Sequence, residues 1–141
     1  MANMKIKMYT DGGARGNPGP AAVGVLIRNE DGDMLLEHGE TIGRATNNVA
    51  EYRALLKGLQ CAKEVGATII ECFLDSELVV KQLSGEFKVK NANMRKLYNE
   101  VRYQEKKFRE VTYTHVRREQ KDMRIADQLV NFALDDEERL L

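Results

Sequence analysis

Tryptophan is absent from this chain, and cysteine and proline occur only twice each. Cys61 and Cys72 fall in a predicted helix and a predicted strand with no metal-ligand spacing. That argues against a disulfide framework or a zinc centre and leaves two small buried hydrophobes in a reducing compartment. An excess of charge of either sign is also missing. Lys plus Arg and Asp plus Glu both total 22, so no global field draws the protein to nucleic acid or to a membrane. Attraction to any polyanion has to be local. No apolar run approaches membrane-spanning length, and residues 1–7 lack the apolar core of a signal peptide, so a soluble cytoplasmic protein is expected. A length of 141 residues suits one domain over 1–141 with its own core.

Both prolines lie in one stretch, which is where the sequence becomes informative. Ile6, Met8 and Thr10 alternate with Lys5, Lys7 and Tyr9, the two-residue period of a half-buried strand. Asp11 follows, and then Gly12-Gly13-Ala14-Arg15-Gly16-Asn17-Pro18-Gly19-Pro20. So dense a run of glycine and proline predicts a sharp turn straight after the carboxylate.

Two further strands, about 21–28 and 33–42, surround the turn signal Asn29-Glu30-Asp31-Gly32 and complete an antiparallel meander, with 43–47 as the exit loop. A helix is predicted to start near Asn48, with Glu51 reaching back in a capping box, and to stop at Gly66. The apolar run 68–74 reads as a strand buried on both faces, ending in Asp75-Ser76. A short helix closed by Gly85 follows, then a longer one spaced by Met94, Leu97, Tyr98, Val101 and Phe108. Residues 111–116 form a fifth strand, and a last helix buries Ala126, Leu129, Val130 and Ala133. The acidic tail Asp135-Asp136-Glu137-Glu138 reads as a solvated helix end. Lys88, Lys90, Arg95 and Lys96 make the one local positive excess, either a solvated rim or a phosphate-contacting surface.

The strand–helix–strand order makes the strand ending at Asp75 parallel to the one ending at Asp11, through a right-handed crossover. Open sheets bind ligands beyond the carboxyl ends of such strands. Glu51, in the first turn of the returning helix, and Asp127, on the flank of the last helix, can join Asp11 and Asp75 there. Singly, each acid has a structural explanation as turn, cap or surface residue. Together they repel one another and persist when a cation binds. Oxygen ligands suit Mg²⁺ or Mn²⁺, and two such ions can drive hydrolysis of a phosphodiester.

Five linked motifs, Thr10-Asp11-Gly12-Gly13, Gly16 to Pro20, Thr46-Asn47-Asn48 with Glu51, Asp75-Ser76 and Ala126-Asp127, resemble the type 1 ribonuclease H family in order and context over essentially the whole chain. The resemblance implies an α/β ribonuclease H-like fold, a five-stranded mixed sheet in order 3-2-1-4-5 flanked by helices. It implies endonucleolytic hydrolysis of the RNA strand of an RNA–DNA hybrid, giving 5′-phosphate and 3′-hydroxyl ends, with two metal ions held by Asp11, Glu51, Asp75 and Asp127. Gly12, Gly13, Asn17 and Asn47 match positions facing the hybrid's minor groove, where the 2′-hydroxyl marks RNA. Thr46 matches a position near a DNA phosphate, and Ser76 also follows the pattern, whereas Glu77 stands where many relatives carry Gln. Ser84 to Asn93 is too short for the basic protrusion of many bacterial members, so substrate binding falls to Lys88 and Lys90. The Gly-His loop of those members is missing as well. His115-Val116-Arg117-Arg118 instead resembles the archaeal-type subgroup, and Arg118 rather than His115 is assigned to phosphate positioning or product release. A monomer without an obligate protein partner is expected. The competing readings are a catalytically silent hybrid-binding module and a broader nuclease that also cuts RNA–RNA duplexes.

Overall fold

The computed structural model describes residues 2–141. Five strands, β1 (Lys5–Ala14), β2 (Gly19–Asn29), β3 (Met34–Ala45), β4 (Ile69–Leu74) and β5 (Glu110–His115), form one mixed sheet in the order β3-β2-β1-β4-β5. The meander pairs antiparallel, and β1, β4 and β5 run parallel, as the crossover order requires. Four helices complete the fold: α1 (Asn47–Glu64), α2 (Glu77–Leu83), α3 (Ala92–Glu105) and α4 (Lys121–Leu140). One face of the sheet carries the main core, where Ile6, Met8 and Ile70 pack against Tyr52, Leu55 and Leu59 of α1. The other face is covered by α4, with Met123 and Ala126 against Tyr9 and Leu26, and Val130 and Leu134 against Ala22.

Several sequence expectations need correction, and each has a local cause. The first strand does not stop at Asp11. Gly12, Gly13 and Ala14 stay paired with Val23, Ala22 and Ala21, so Asp11 sits inside β1 and the turn begins at Arg15. Helix α1 is capped by Thr46, not Asn48: the Thr46 hydroxyl accepts the Val49 N–H at 3.2 Å. Glu51 is thereby released from any capping box. The outer face of β4 is half-buried, because α4 lies over the β1–β3 side of the sheet. Its partly exposed residues are served by the Lys5–Glu71 ion pair at 2.8 Å and by the stacking of Phe73 on Tyr9 at 4.8 Å. Phe108 lies beyond the end of α3, although it still packs on the core. The buried stripe of α4 is Met123, Ala126, Val130 and Leu134, one step round from the expected set. Nor is the acidic tail merely solvated, since Asp135 and Glu138 hold Arg15 at 2.7 and 2.8 Å.

Two glycines let the helices approach the sheet more closely than any side chain would permit. A Cβ on Gly12 would overlap the backbone carbonyl of Ala50 in α1, and one on Gly24, the cross-strand partner of Asp11, would overlap the carbonyl of Ala126 in α4. Gly12→Ala and Gly24→Ala should each cost at least about 3 kcal/mol, the upper range for overpacking against backbone that cannot yield. Gly32→Ala should cost only about 1 kcal/mol, because Gly32 faces open space and loses only its positive-φ freedom. Urea unfolding of the three variants measures the contrast.

Candidate active site

The last residue pair shared by β1 and β4 is Tyr9 with Phe73. Beyond it β1 stays with β2 while β4 ends at Leu74, so the sheet opens between Asp11 and Asp75, two residues further along each chain. This is the crevice outside the carboxyl ends of parallel strands. Ser76 turns the chain into α2 by accepting the Val79 N–H at 3.2 Å, which fixes Asp75 at the rim. On the other side, the Gly12 contact brings the first turns of α1 down onto β1, and Glu51 Oε1 accepts the Gly12 N–H at 3.1 Å.

Asp11, Glu51 and Asp75 each offer a carboxylate oxygen within 4.8 Å of the others. Asp11 and Glu51 are buried, and Glu51 Oε2 has no hydrogen-bond partner in the protein. Burial, reinforced by the charges of Asp75 and Asp127, pushes the Asp11 carboxyl up to about 8. Burial, with Asp11 and Asp75 beside it, holds Glu51 well above the usual carboxylate range. A buried orphan acceptor among crowded carboxylates is the donor set a hard divalent cation requires. The three residues therefore fit a metal, and the protein leaves the Glu51 Oε2 oxygen uncompensated.

Asp127, expected as a fourth member, stands outside the 4.8 Å set and beside Asp11. It lines the same cleft from α4, close enough to raise Asp11, and one of its oxygens accepts from Asn131 Nδ2 at 3.5 Å. Arg118 does reach the site: Nε lies 3.4 Å from Asp75 Oδ2, with the side chain 72% exposed so that the remaining donors face outward. His115, at the exposed end of β5, lines a neighbouring depression with Arg118. Gly12, Gly13, Asn47 and Ser76 line the cleft, which measures about 470 Å³. Asn17 and Thr46 act one step back. Asn17 Oδ1 accepts the Asn47 N–H at 3.0 Å and Asn47 Oδ1 accepts the Ala14 N–H at 2.9 Å, lacing the glycine-rich loop to the start of α1. Lys88 and Lys90 are exposed on the α2–α3 connection, turned outward on either side of buried Val89 and away from the cleft lining. Arg15 and Asn131 also line the cleft and were not anticipated. The spacing in fours of Asp127, Asn131 and Asp135 was the available signal.

The raised carboxyls set the pH dependence of the metal-free protein. Unfolded chain releases the Asp11 proton near its ordinary value, and folded chain keeps it to about 8, so the native state binds more protons in between. The contribution is fully present below the unfolded value and is lost as pH rises. The melting temperature should therefore fall between about pH 5 and pH 8 without divalent cations. In Asp11→Asn the decline should flatten and the melting temperature at the upper end should rise. Calorimetric scans in chelator check both.

A family model described as reverse transcriptase-like matches residues 9–133. Ribonuclease HI of Halobacterium salinarum is 44% identical over 132 residues, 94% of this chain and 65% of the relative. The crystal structure of RNase H1 from that archaeon superposes with a TM-score of 0.89 at 43% identity, covering 94% of this chain and 98% of the other. Bifunctional protein Rv2228c of Mycobacterium tuberculosis is 45% identical over 133 residues, 94% of this chain and 36% of the relative. LC11-RNase H1, solved in complex with an RNA/DNA hybrid, superposes with a TM-score of 0.87 at 38% identity over 93% of this chain and 97% of its own. The chain thus spans about a third of the mycobacterial relative and about two thirds of the halobacterial one. With its sheet order, its cleft acids and these likenesses taken together, the chain belongs to the type 1 ribonuclease H family.

Proposed function

We propose that this protein is a metal-dependent endonuclease that hydrolyses the RNA strand of RNA–DNA hybrids, leaving 5′-phosphate and 3′-hydroxyl ends. The observation that carries the reading is the convergence of Asp11, Glu51 and Asp75 at the opening of the sheet, with a buried Glu51 oxygen left unpartnered. When bound there, a pair of Mg²⁺ or Mn²⁺ ions supplies an activated water and stabilises the charge that develops on the leaving oxygen. The protein's own groups do the rest. Asp11, Glu51 and Asp75 hold the cations, with Asp127 available from α4. Arg118, tethered at one end to Asp75, turns its remaining donors outward to the scissile phosphate. The Gly12–Gly13 wall of the cleft, laced in place by Asn17 and Asn47, faces the 2′-hydroxyls of the RNA strand, with the Gly12 N–H already given to Glu51. Thr46, near a phosphate of the DNA strand, and Ser76 hold the helix starts beside that groove, and Lys88 and Lys90 meet phosphates of the hybrid further out.

An end-labelled RNA of about 12 to 20 nucleotides, annealed to DNA or to RNA and incubated with Mg²⁺, Mn²⁺ or chelator, tests the reading directly. Cutting of the hybrid alone, abolished by chelator and by Asp11→Asn, is expected. Hybrid binding without cutting under either metal would leave a silent binding module in its place, and equal cutting of the RNA duplex would widen the specificity. Arg118→Ala should lower kcat by at least about tenfold, because a charge-assisted contact to the reacting phosphate is lost. Replacing Lys88 and Lys90 by Gln should weaken hybrid binding and reduce the slope of log affinity against log salt by about one per lysine. Filter binding across a salt series measures it, and an unchanged slope rules this surface out.

A further inference from the structure

How near Asp127 comes to Asp11 is set by the rotation and axial position of α4. The apolar stripe that seats α4 on the sheet is built largely of side chains such as Met123, Ala126 and Val130, and apolar burial by itself has no directional preference. Direction comes from the backbone contact of Ala126 on Gly24 and from polar groups, with the Arg28–Asp122 ion pair at 3.0 Å holding the first turn and a second set further along the helix. Asp127, Asn131 and Asp135 recur every fourth residue, with Glu138 three further on, so they share one stripe. Arg15, the first residue beyond β1, lies along it. Its Nη2 is 2.7 Å from Asp135 Oδ1 and its Nη1 2.8 Å from Glu138 Oε1. Nη2 also faces Asn131, with the backbone oxygen and Oδ1 both at 3.5 Å. A guanidinium can only donate, so the amide oxygen of Asn131 turns toward Arg15 and its nitrogen is left for Asp127 Oδ2, at 3.5 Å.

We propose that Arg15 is a positioning residue for Asp127. Gripped by Asp135 and Glu138, it fixes the rotation of α4 and the flip of the Asn131 amide, so that one Asp127 oxygen is tied and the other is presented to the cleft. The catalytic consequence rests on the nuclease reading, and the geometry of the clamp does not. The glycine-rich loop and the last helix approach the cleft from different elements, and this is the ion-pair cluster that joins them. Arginine suits the task because its rigid fork spans both carboxylates, which a lysine point charge does not.

The clamp can be broken from either side. Arg15→Lys keeps the charge and loses the fork, and Asp135→Asn combined with Glu138→Gln loosens the grip without altering the cleft wall. Each should lower kcat on the hybrid by about tenfold with KM within about twofold, the usual range for partners that orient a ligating carboxylate. Combining all three changes should cost no more than either set alone. In the metal-free protein, the side-chain amide signals of Asn131 in heteronuclear NMR should move in both variants and in Asp127→Asn. A raised KM in Arg15→Lys, with unchanged or tighter binding in the double carboxylate variant, would make Arg15 a phosphate contact and overturn the proposal. Unmoved Asn131 signals overturn it whether or not the protein cleaves. Failure of the unaltered protein to cut any hybrid would sink the nuclease reading alone, and the Asn131 signals would still decide the clamp.

Discussion

Three carboxylates share a space 4.8 Å across at the mouth of the sheet, two of them buried, and the protein provides no counter-charge for the innermost oxygen. Such an arrangement works against folding. Burial disfavours ionised Asp11 and Glu51, the charge of Asp75 adds to the penalty of both, and Asp11 adds to that of Glu51. It is kept because the surroundings over-determine it: β1 is zipped to β2 past Asp11 as far as Ala14, and the Gly12 N–H anchors one Glu51 oxygen. The site is stiff where it is least comfortable. A cation arriving there finds its ligands already gathered and relieves a penalty that the fold has carried.

Glycine is the means by which the helices deliver their acids. Gly12 admits α1 to the strand so that Glu51 reaches the cleft, and Gly24, opposite Asp11, admits α4 so that Asp127 comes alongside. The two contacts lie on either side of the sheet, since α1 packs on the main core and α4 on the smaller clusters. Gly12, which looked like a turn residue in the linear sequence, is thus a strand residue whose missing side chain sets an interlayer distance, as Gly24 does on the other face. The turn itself begins later, at Arg15, where the chain leaves β2's partnership and meets α4.

This distinction marks the limit of what the sequence discloses. The antiparallel meander, the parallel crossover, the helix count and the acids at 11, 51 and 75 were legible because period-two and helical patterns, crossover order and carboxylates at strand ends are local signals that topology converts into proximity, whereas the full strand order followed from the family resemblance. The role of Thr46 as cap was hidden because Thr46, Asn47 and Asn48 are all competent capping types, and the cross-chain bonds of Asn47 and Asn17 decide among them. The Asp127 carboxylate was placed on the correct helix flank but not at its distance, which depends on how far α4 sinks onto Gly24. Arg15 and Glu138 are 123 residues apart and opposite in charge, and nothing in their separate neighbourhoods connects them. Long-range ion pairs between exposed groups leave no periodic trace.

Zero net charge gives these local arrangements their consequence. A polyanion gains nothing from the protein's overall field, and Asp11 and Glu51 hold their protons to higher pH than ordinary carboxyls, so a cation that binds there displaces those protons and offsets the charge left behind before a phosphodiester comes close. Arg118 over Asp75 and Arg15 beside α4 are the cationic groups of the cleft wall, whereas Lys88 and Lys90 stand apart on the α2–α3 connection. Rim contacts can hold a nucleic acid at a distance, but close approach is linked to cation occupancy, and linkage is reciprocal, so a seated phosphate must also strengthen the hold on the cation. Gly12 and Gly13, at the end of β1, add an uncharged stretch to the cleft wall. Occupancy of the acidic centre, rather than net charge, is thereby the condition for close approach of a polyanion to this cleft.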